Sequence, residues 1–324
     1  MMCLAEDHQT HDCELRDFDL EQSPKSYLVI SRVGRDSLHE DWLPAATHAA
    51  FDVLLSSYDP SLSPIVRPGV KFEHRPGAKV AGYGQILRDY AELIRRYRYV
   101  ALFDDDLLTD ADNLGRLFAI IDRNGLKIAQ PALKTQSHFT YACLLQHNGF
   151  VLRHVNYVEM MCPFFRSDVL LGLAPLFELG FESGIDLIWS ALVHESAEDF
   201  AVIDHVPVLH TRRVGTGKAV NGFVGGRVYR DDISAILDRF GVPWLPALPY
   251  GGLRANGSYT RSRLLLGVAA VGLAAALPIR SPRFRLRAIG TYWSHLLRSK
   301  ARNVRAFWPE GMGTAKLDAE RRIQ

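Results

Sequence analysis

An α/β fold is predicted for this chain: a mostly parallel sheet flanked by helices, followed by a basic helical C-terminal extension. Three observations carry that expectation. Short apolar, β-favouring runs alternate with amphipathic helical stretches. One of those runs stops abruptly at Asp104-Asp105-Asp106. The charge changes sign along the chain: residues 254–324 hold 14 Lys or Arg against the three acids Glu310, Asp318 and Glu320, while the preceding residues are net acidic.

Tyr27–Ser31 is the first predicted strand, feeding the loop Arg32-Val33-Gly34-Arg35-Asp36. The second, Phe51–Tyr58, is closed by Asp59-Pro60, and the stretch Leu38–Ala50 reads as the crossover helix between them in spite of Pro44. From Gln85 to Arg98 the apolar residues Ile86, Leu87, Tyr90, Leu93, Ile94 and Tyr97 fall at three- and four-residue steps, which puts them on one helix face. A third strand follows at Tyr99–Phe103, a continuous apolar run of the kind buried on both faces. Next come a helix over 112–124 stopped by Gly125 and a strand at Lys127–Gln130. Tyr157–Phe165 reads as extended, Asp168–Leu179 as a helix or a loop over the sheet, Ile185–Val193 as a helix, and Ala201–Asp204 and Pro207–His210 as strands. Gly215–Gly226 reads as a mobile glycine-rich loop, Val228–Phe240 as a helix and Pro243–Gly257 as a loop.

These elements define a main α/β domain over 27–250, an acidic disordered lead-in over 1–26 and an apolar, basic helical region over 251–324. The lead-in has neither the basic start nor the apolar core of a secretory signal. With four scattered cysteines and no CxxC, a reducing, cytoplasmic setting is expected. Leu264–Ile279 is uncharged but shorter than the roughly 20 residues a spanning helix needs. Beside clustered arginines, it suits either an anionic membrane surface at the inner face of the cell membrane or a helix buried on the core. No nucleic-acid reading module accompanies the basic tail, so nucleic acid is not an expected partner.

Three adjacent carboxylates at a strand end repel one another unless something positive compensates them, and Mg2+ or Mn2+ does so while keeping positions open for phosphate oxygens. The alternative is a solvated acidic loop. In parallel sheets, ligands gather beyond the carboxyl ends of the strands, where these aspartates sit.

The segment Tyr99–Asp110, YVALFDDDLLTD, resembles the strand and acidic motif of GT-A (Rossmann-like) glycosyltransferases. Downstream, Val158–Phe165, Gly184-Ile185-Asp186 and Val202–His210 recur in an order similar to that of a largely uncharacterised GT-A-related family of plants and bacteria with VEIMAP-like and GLD-like segments. The likeness spans about residues 27–240. It implies a nucleotide-sugar donor, a saccharide or glycolipid acceptor and a divalent ion. Asp104 and Asp106 would hold ribose and metal, with Asp105 a further contact; His210 would complete the metal shell, and Asp186 would be the base of an inverting reaction. Arg32 and Asp36 stand where this fold receives base and ribose. The glycine-containing stretch 75–84 either lets Lys79 or Arg75 reach a phosphate or is a plain turn.

The chemistry asks for the same equipment: a cation to offset charge on the leaving diphosphate and a separate carboxylate to take the acceptor proton. Other roles stay open. Asp186 equally suits a helix N-cap. His205 rivals His210. Glu159 faces an acceptor pocket or pairs with Arg153 or Arg166, and the 215–226 loop closes over the diphosphate or is an ordinary basic loop. Two further functions compete. One is a haloacid-dehalogenase-like phosphatase using Asp231-Asp232 as a second acidic pair, although Leu107-Leu108 stand where that family expects Gly-Thr. The other is a catalytically silent membrane-surface nucleotide-sugar binding module.

Overall fold

The computed structural model describes residues 25–43, 50–193, 196–213, 229–276 and 282–298. The acidic lead-in, the glycine-rich loop and the chain beyond Arg298 lie outside the described residues.

The first four strands are parallel. β1 (Tyr27–Val33) leads to a short helix α1 (His39–Trp42), then β2 (Phe51–Ser57) and β3 (Val70–His74). Helices α2 (Lys79–Asp89) and α3 (Ala91–Arg96) precede β4 (Tyr99–Leu102). A two-residue strand β5 (Leu107–Leu108) and helix α4 (Ala111–Arg123) follow, then β6 (Ile128–Leu133) and β7 (Phe150–Val155). Next come β8 (Phe164–Arg166), α5 (Ser167–Phe177), α6 (Ile185–Val193) and the long strand β9 (Phe200–His210). Helix α7 (Tyr229–Phe240), strands β10 (Pro249–Arg254) and β11 (Tyr259–Thr260), and helices α8 (Arg263–Ala276) and α9 (Pro282–Arg298) complete the described chain.

The main sheet runs β11-β10-β7-β9-β6-β8-β4-β1-β2-β3, with β5 pairing β9 off that path. It is mixed, which corrects the expectation of a mostly parallel sheet. β1, β2, β3 and β4 are mutually parallel and β6 is parallel to β9, but β8 enters antiparallel between β4 and β6, and β7, β10 and β11 are antiparallel as well. A helical crossover is needed only between parallel neighbours. The strand β8 lies directly before α5 and after an irregular connector, so nothing in its own three residues announces its direction.

Several expected elements change extent. The strand expected third is the fourth, because Val70–His74 forms an edge strand after a Pro68-Gly69 turn, where Gly69 has φ 76°. Of the extended segment expected at 157–165, only Phe164 and Phe165 lie in a strand. The stretches 201–204 and 207–210 are one strand, the long β9. Within the expected loop 243–257 lies β10, so the main sheet continues past the point where the composition shifts.

Helix α4 shows how locally the chain specifies its parts. The Asp110 side chain caps the helix by accepting from Asn113 N at 2.7 Å. Leu114, Leu117, Phe118 and Ile121 recur at helical spacing and are all buried. Phe118 stacks on Tyr27 at 4.7 Å between ring centroids and meets Phe164 edge-on at 4.8 Å, joining the helix to β1 and β8. Trp42 and Phe103 make a similar edge contact above β4. This aromatic core fixes the end of β4, from which the aspartates emerge.

Candidate active site

Phe103 N bonds Ile30 O at 2.9 Å and Asp104 N bonds Met161 O at 3.0 Å, so the chain stays clamped between β1 and the connector to β8 as it leaves β4. The three following carboxylates then diverge. Their side chains keep only 22% (Asp104), 15% (Asp105) and 15% (Asp106) of their exposure, which excludes a solvated acidic loop.

Asp104 meets Lys79, whose Nζ stands 2.6 Å from Oδ1 and also donates to Met160 O at 2.9 Å. Burial, with Asp106 and Asp105 nearby, lifts the Asp104 carboxyl to about 6 even with the lysine opposing it. Burial also acts to lower the Lys79 ammonium. The pull of Asp104, with Asp106 and Asp186 behind it, outweighs that and holds its pKa above the ordinary value.

Asp105 is held by neutral donors: Ser37 Oγ at 2.6 Å and Tyr58 Oη at 2.7 Å, both on Oδ2, with the Arg212 guanidinium 3.6 Å from Oδ1. Its backbone carbonyl accepts from Leu38 N. It braces the loop after β1 against the loop after β4.

Asp106 meets His210. In the β5–β9 pairing, Leu107 lies opposite His210, so the residue before Leu107 is delivered to the imidazole. Nε2 lies 3.2 Å from Asp106 Oδ2, and Nδ1 lies 2.7 Å from His138 O. A carbonyl can only accept, so Nδ1 carries a hydrogen and Nε2 is the variable nitrogen. Two electron-rich atoms do not rest 3.2 Å apart without a positive centre between them. Burial opposes charging the ring, yet the bond to Asp106 raises the His210 pKa; burial likewise opposes charging Asp106, and His210 with Lys79 pulls it below the usual carboxylate range. The other oxygen, Asp106 Oδ1, is buried with no hydrogen-bond partner. Among the described residues, no group of three or more His, Cys, Asp or Glu side chains is arranged to hold a metal ion. The mutual repulsion expected of the triplet is therefore relieved by the chain itself, through Lys79, a hydroxyl pair with Arg212, and His210.

Asp186 and Glu159 flank this row. Asp186 lies in the first turn of α6. Its Oδ2 accepts from Tyr157 Oη at 2.7 Å and Met160 N at 3.2 Å, so the carboxylate is turned toward the connector. Glu159 pairs with neither Arg153 nor Arg166. Thr140 Oγ1 donates to its Oε1 at 2.8 Å, its Oε2 is buried without a partner, and burial together with Asp186 lifts it to about 7.

The proposed phosphate loop is well formed but not a glycine cradle. Gly77, at φ 114°, turns the chain into α2, so Lys79 begins the helix. The helix N-terminus is occupied: Val80 N and Ala81 N each donate to the Glu182 carboxylate at 2.9 Å. Arg75 is turned away, bound to Glu73 and Asp89. Arg32, expected at the donor, lies inward. It is only 4% exposed, donates inward to Ser56 Oγ at 3.2 Å and Gly77 O at 2.9 Å, and lies so close to Gly82 that a Cβ there would collide with it. Its place is under the loop. Asp36 is exposed beside the site, its carbonyl accepting from Arg212.

The rival residues lie elsewhere. His205 is exposed on β9 next to Arg116. Asp232 is buried against Glu182 N at 2.8 Å, so it is not a second acidic pair for a phosphatase site. Sequence reading missed Ser37, Tyr58, Thr140 and Tyr157, whose hydroxyls hold the carboxylates; no spacing rule links them to the triplet.

Comparison with known proteins adds little to this geometry. Residues 89–155, from the end of α2 through β7, match a family described as "Protein of unknown function (DUF707)". No curated protein matches the chain. Among solved structures it is similar to S. aureus TarS 1-349 in complex with UDP-GlcNAc, at 10% identity and TM-score 0.42 over 86% of this chain and 74% of that one. It is similar also to glucosyl-3-phosphoglycerate synthase from Mycobacterium tuberculosis in complex with Mn2+, UDP-glucose and phosphoglyceric acid, at 12% identity and TM-score 0.41 over 70% and 84%. A197 from STIV matches at 13% identity and TM-score 0.34 over 57% and 85%. The sheet itself is mixed, flanked by helices and followed by a helical segment.

Proposed function

We propose that the chain is a metal-dependent glycosyltransferase that moves a sugar from a nucleotide-sugar donor to a hydroxyl of a saccharide or glycolipid acceptor, with inversion. One observation carries the reading: the partnerless, buried Asp106 Oδ1 beside the His210 Nε2 edge, at the carboxyl end of the central strand β4.

That pair fits a divalent ion. A carboxylate oxygen with nothing to accept and an imidazole nitrogen whose ring is oriented from behind by a carbonyl are a suitable two-ligand set. An ion of the Mg2+ or Mn2+ type commonly takes one or two protein carboxylates and fills its remaining positions with phosphate oxygens and water, so two or three protein ligands suffice. Asp106 and His210 would hold it, with Asp104 alongside. When bound, such an ion neutralises charge on the departing diphosphate as a Lewis acid.

The chain's own groups supply the rest. The Lys79 ammonium, kept protonated by its acidic neighbours, binds the diphosphate and shields it from Asp104. Asp36, with the loop that Arg32 supports and Asp105 braces, contacts the nucleoside. Asp186 takes the acceptor proton, positioned by the Tyr157 hydroxyl. Glu159, close to neutral by burial, shares a proton with an acceptor hydroxyl and so orients it.

The test is a thermal-shift screen of nucleoside diphosphates with and without Mn2+, beginning with UDP. A ligand at 100 times its Kd stabilises by about 2.7 kcal/mol. The expected result is stabilisation by one nucleotide that requires the metal. If every nucleotide leaves the melting temperature unchanged in the presence of Mn2+, the reading is wrong.

A further inference from the structure

The last two helices leave large apolar side chains in water. On α8, Leu264, Leu265 and Val268 are 66%, 42% and 55% exposed; on α9, Leu286 and Leu297 are 72% and 60% exposed. The positions are not scattered. Leu264 and Val268 lie one turn apart, and Leu265 sits beside them. On α9 the exposed residues Arg283, Leu286, Arg287, Gly290 and Leu297 recur at helical spacing along one face, with Arg298 at its edge.

The opposite faces are already used. Leu266 and Ala270 of α8 are buried, as are Ile289, Tyr292 and Leu296 of α9. Trp293 rests against Gly267, where a Cβ would collide with it, and joins the two helices. Tyr292 packs edge-on against His147, and Phe284 packs against Phe139, so the pair is anchored to the core. The exposed leucines are therefore a second apolar surface, not a packing face left without its core.

Charge selects what covers it. From Arg254 to Arg298 the sequence has eight arginines and no aspartate or glutamate. Arg283, Arg287 and Arg298 are exposed among the leucines. A second copy of this chain would bring arginine against arginine in a twofold contact, a repulsive arrangement. A nucleic acid would satisfy the arginines and leave the leucines wet. An anionic bilayer satisfies both, with phosphates at the guanidinium level and acyl chains beneath. Among the described residues no helix is long and apolar enough to cross a membrane, so the contact lies in the plane of the surface.

We propose that α8 and α9 form an interfacial platform that docks on an anionic lipid bilayer through Leu264, Val268, Leu286 and Leu297, with Arg283, Arg287 and Arg298 at the headgroups. The platform touches the site. Phe139, on which Phe284 packs, lies between His138, whose carbonyl orients His210, and Thr140, which donates to Glu159. If the glycosyltransferase reading holds, docking brings the acceptor side of the site next to the membrane, and the acceptor class is lipid-linked. Docking itself does not depend on that reading.

The test is co-sedimentation of the full chain with vesicles of phosphatidylcholine alone and of phosphatidylcholine mixed with phosphatidylglycerol. The chain should pellet with the mixed vesicles, largely stay in solution with the neutral ones, and be partly released by high salt. Leu286→Asp with Leu297→Asp should weaken vesicle binding by roughly tenfold or more, and so should Arg283→Ser with Arg287→Ser. All four positions are exposed, so thermal midpoints should stay at the wild-type value and separate lost docking from lost folding. Equal binding to neutral vesicles, no binding to either, or variants that bind like wild type would overturn the proposal. So would a stable dimer that the leucine variants dissociate, or release from vesicles by RNA at physiological salt. Vesicle binding without any nucleotide effect in the thermal-shift screen would leave docking standing and remove the enzyme reading.

Discussion

The Lys79 ammonium bridges both oxygens of Asp104, 2.6 Å from Oδ1 and 2.7 Å from Oδ2, at the mouth of the central strand. A cation so placed makes a buried carboxylate tolerable and, on the proposed function, offers a positive charge to an incoming diphosphate. Lys79→Met removes both. Hydrogen bonds involving a charged group contribute about 1.5–3 kcal/mol, so nucleoside diphosphate affinity measured by calorimetry with Mn2+ should fall by roughly tenfold to a hundredfold. Arg75→Met, whose guanidinium faces Glu73 and Asp89, should leave that affinity unchanged.

On the proposed function, Asp106 and His210 carry the metal-dependent part of the response. Asp106→Asn keeps the shape and a hydrogen-bond acceptor but loses the formal charge, and His210→Ala removes the nitrogen without touching β4. Each should abolish the Mn2+ requirement by abolishing the nucleotide effect itself, while the chain without ligand still melts cooperatively. Asp105→Asn should behave differently. Its oxygens are engaged by Ser37 and Tyr58, so it should cost stability of the two loops more than metal response. Equal loss of metal dependence in all three variants would add Asp105 to the residues that hold the ion.

The part of this arrangement that the sequence makes legible is the part carried by contiguous residues. Tyr99–Phe103 reads as a buried strand because it is apolar without a break, and the aspartates after it are visible because they are adjacent. Helix α4 is legible from its spacing and its capping aspartate. Strand β3 was open to the same reading, since Val70-Lys71-Phe72-Glu73-His74 alternates apolar and polar as an edge strand does, but the Pro-Gly turn before it looks like loop. The direction of β8 was not legible, because antiparallel entry depends on the connector rather than on its own three residues. Nor was the meeting of Lys79 with Asp104, which needs the register of α2 over β4. His210 was nameable as a candidate, but its choice over His205 depends on the β5–β9 register, which aims one imidazole at Asp106 and leaves the other in solvent.

Glu159 supplies a pH signature. Its ordinary pKa near 4.5 is lifted by burial to about 7 in the folded chain. Between those values the folded state binds more protons than the unfolded state, so this group makes the protein less stable as pH rises from about 4.5 to about 7, and the loss is complete above that. At one pKa unit per 1.36 kcal/mol the penalty at pH 8 is on the order of 3 kcal/mol. Glu159→Gln keeps a partner for the Thr140 hydroxyl and removes the titration. The variant should therefore gain on wild type as pH increases, with a small difference at pH 5 and a clearly higher melting temperature at pH 8. A difference independent of pH would place the titrating group elsewhere.

Arg153 and Asp204 tie β7 to β9 through an ion pair from which both side chains are fully excluded from solvent. Nε lies 2.7 Å from Oδ2 and an Nη lies 3.0 Å from Oδ1, and the remaining donors reach Cys143 O and Leu145 O. Asp204 also accepts from His147 N at 2.8 Å. Burial opposes the guanidinium charge, and Asp204 more than offsets it, so Arg153 stays protonated across the working pH range. Removing one partner leaves the other charged and buried, at a cost of about 3–5 kcal/mol. Against a total stability of about 5–15 kcal/mol, Arg153→Met should lower the urea midpoint severely. The double variant Arg153→Met with Asp204→Leu should recover much of that loss, because no unpaired charge remains inside. Strand β9 ends at His210, so partial unfolding here should also blunt the metal response of Arg153→Met, and the double variant should restore it along with the midpoint. Recovery of stability without recovery of the metal response would show that β9 needs the ion pair for its geometry and not only for its stability.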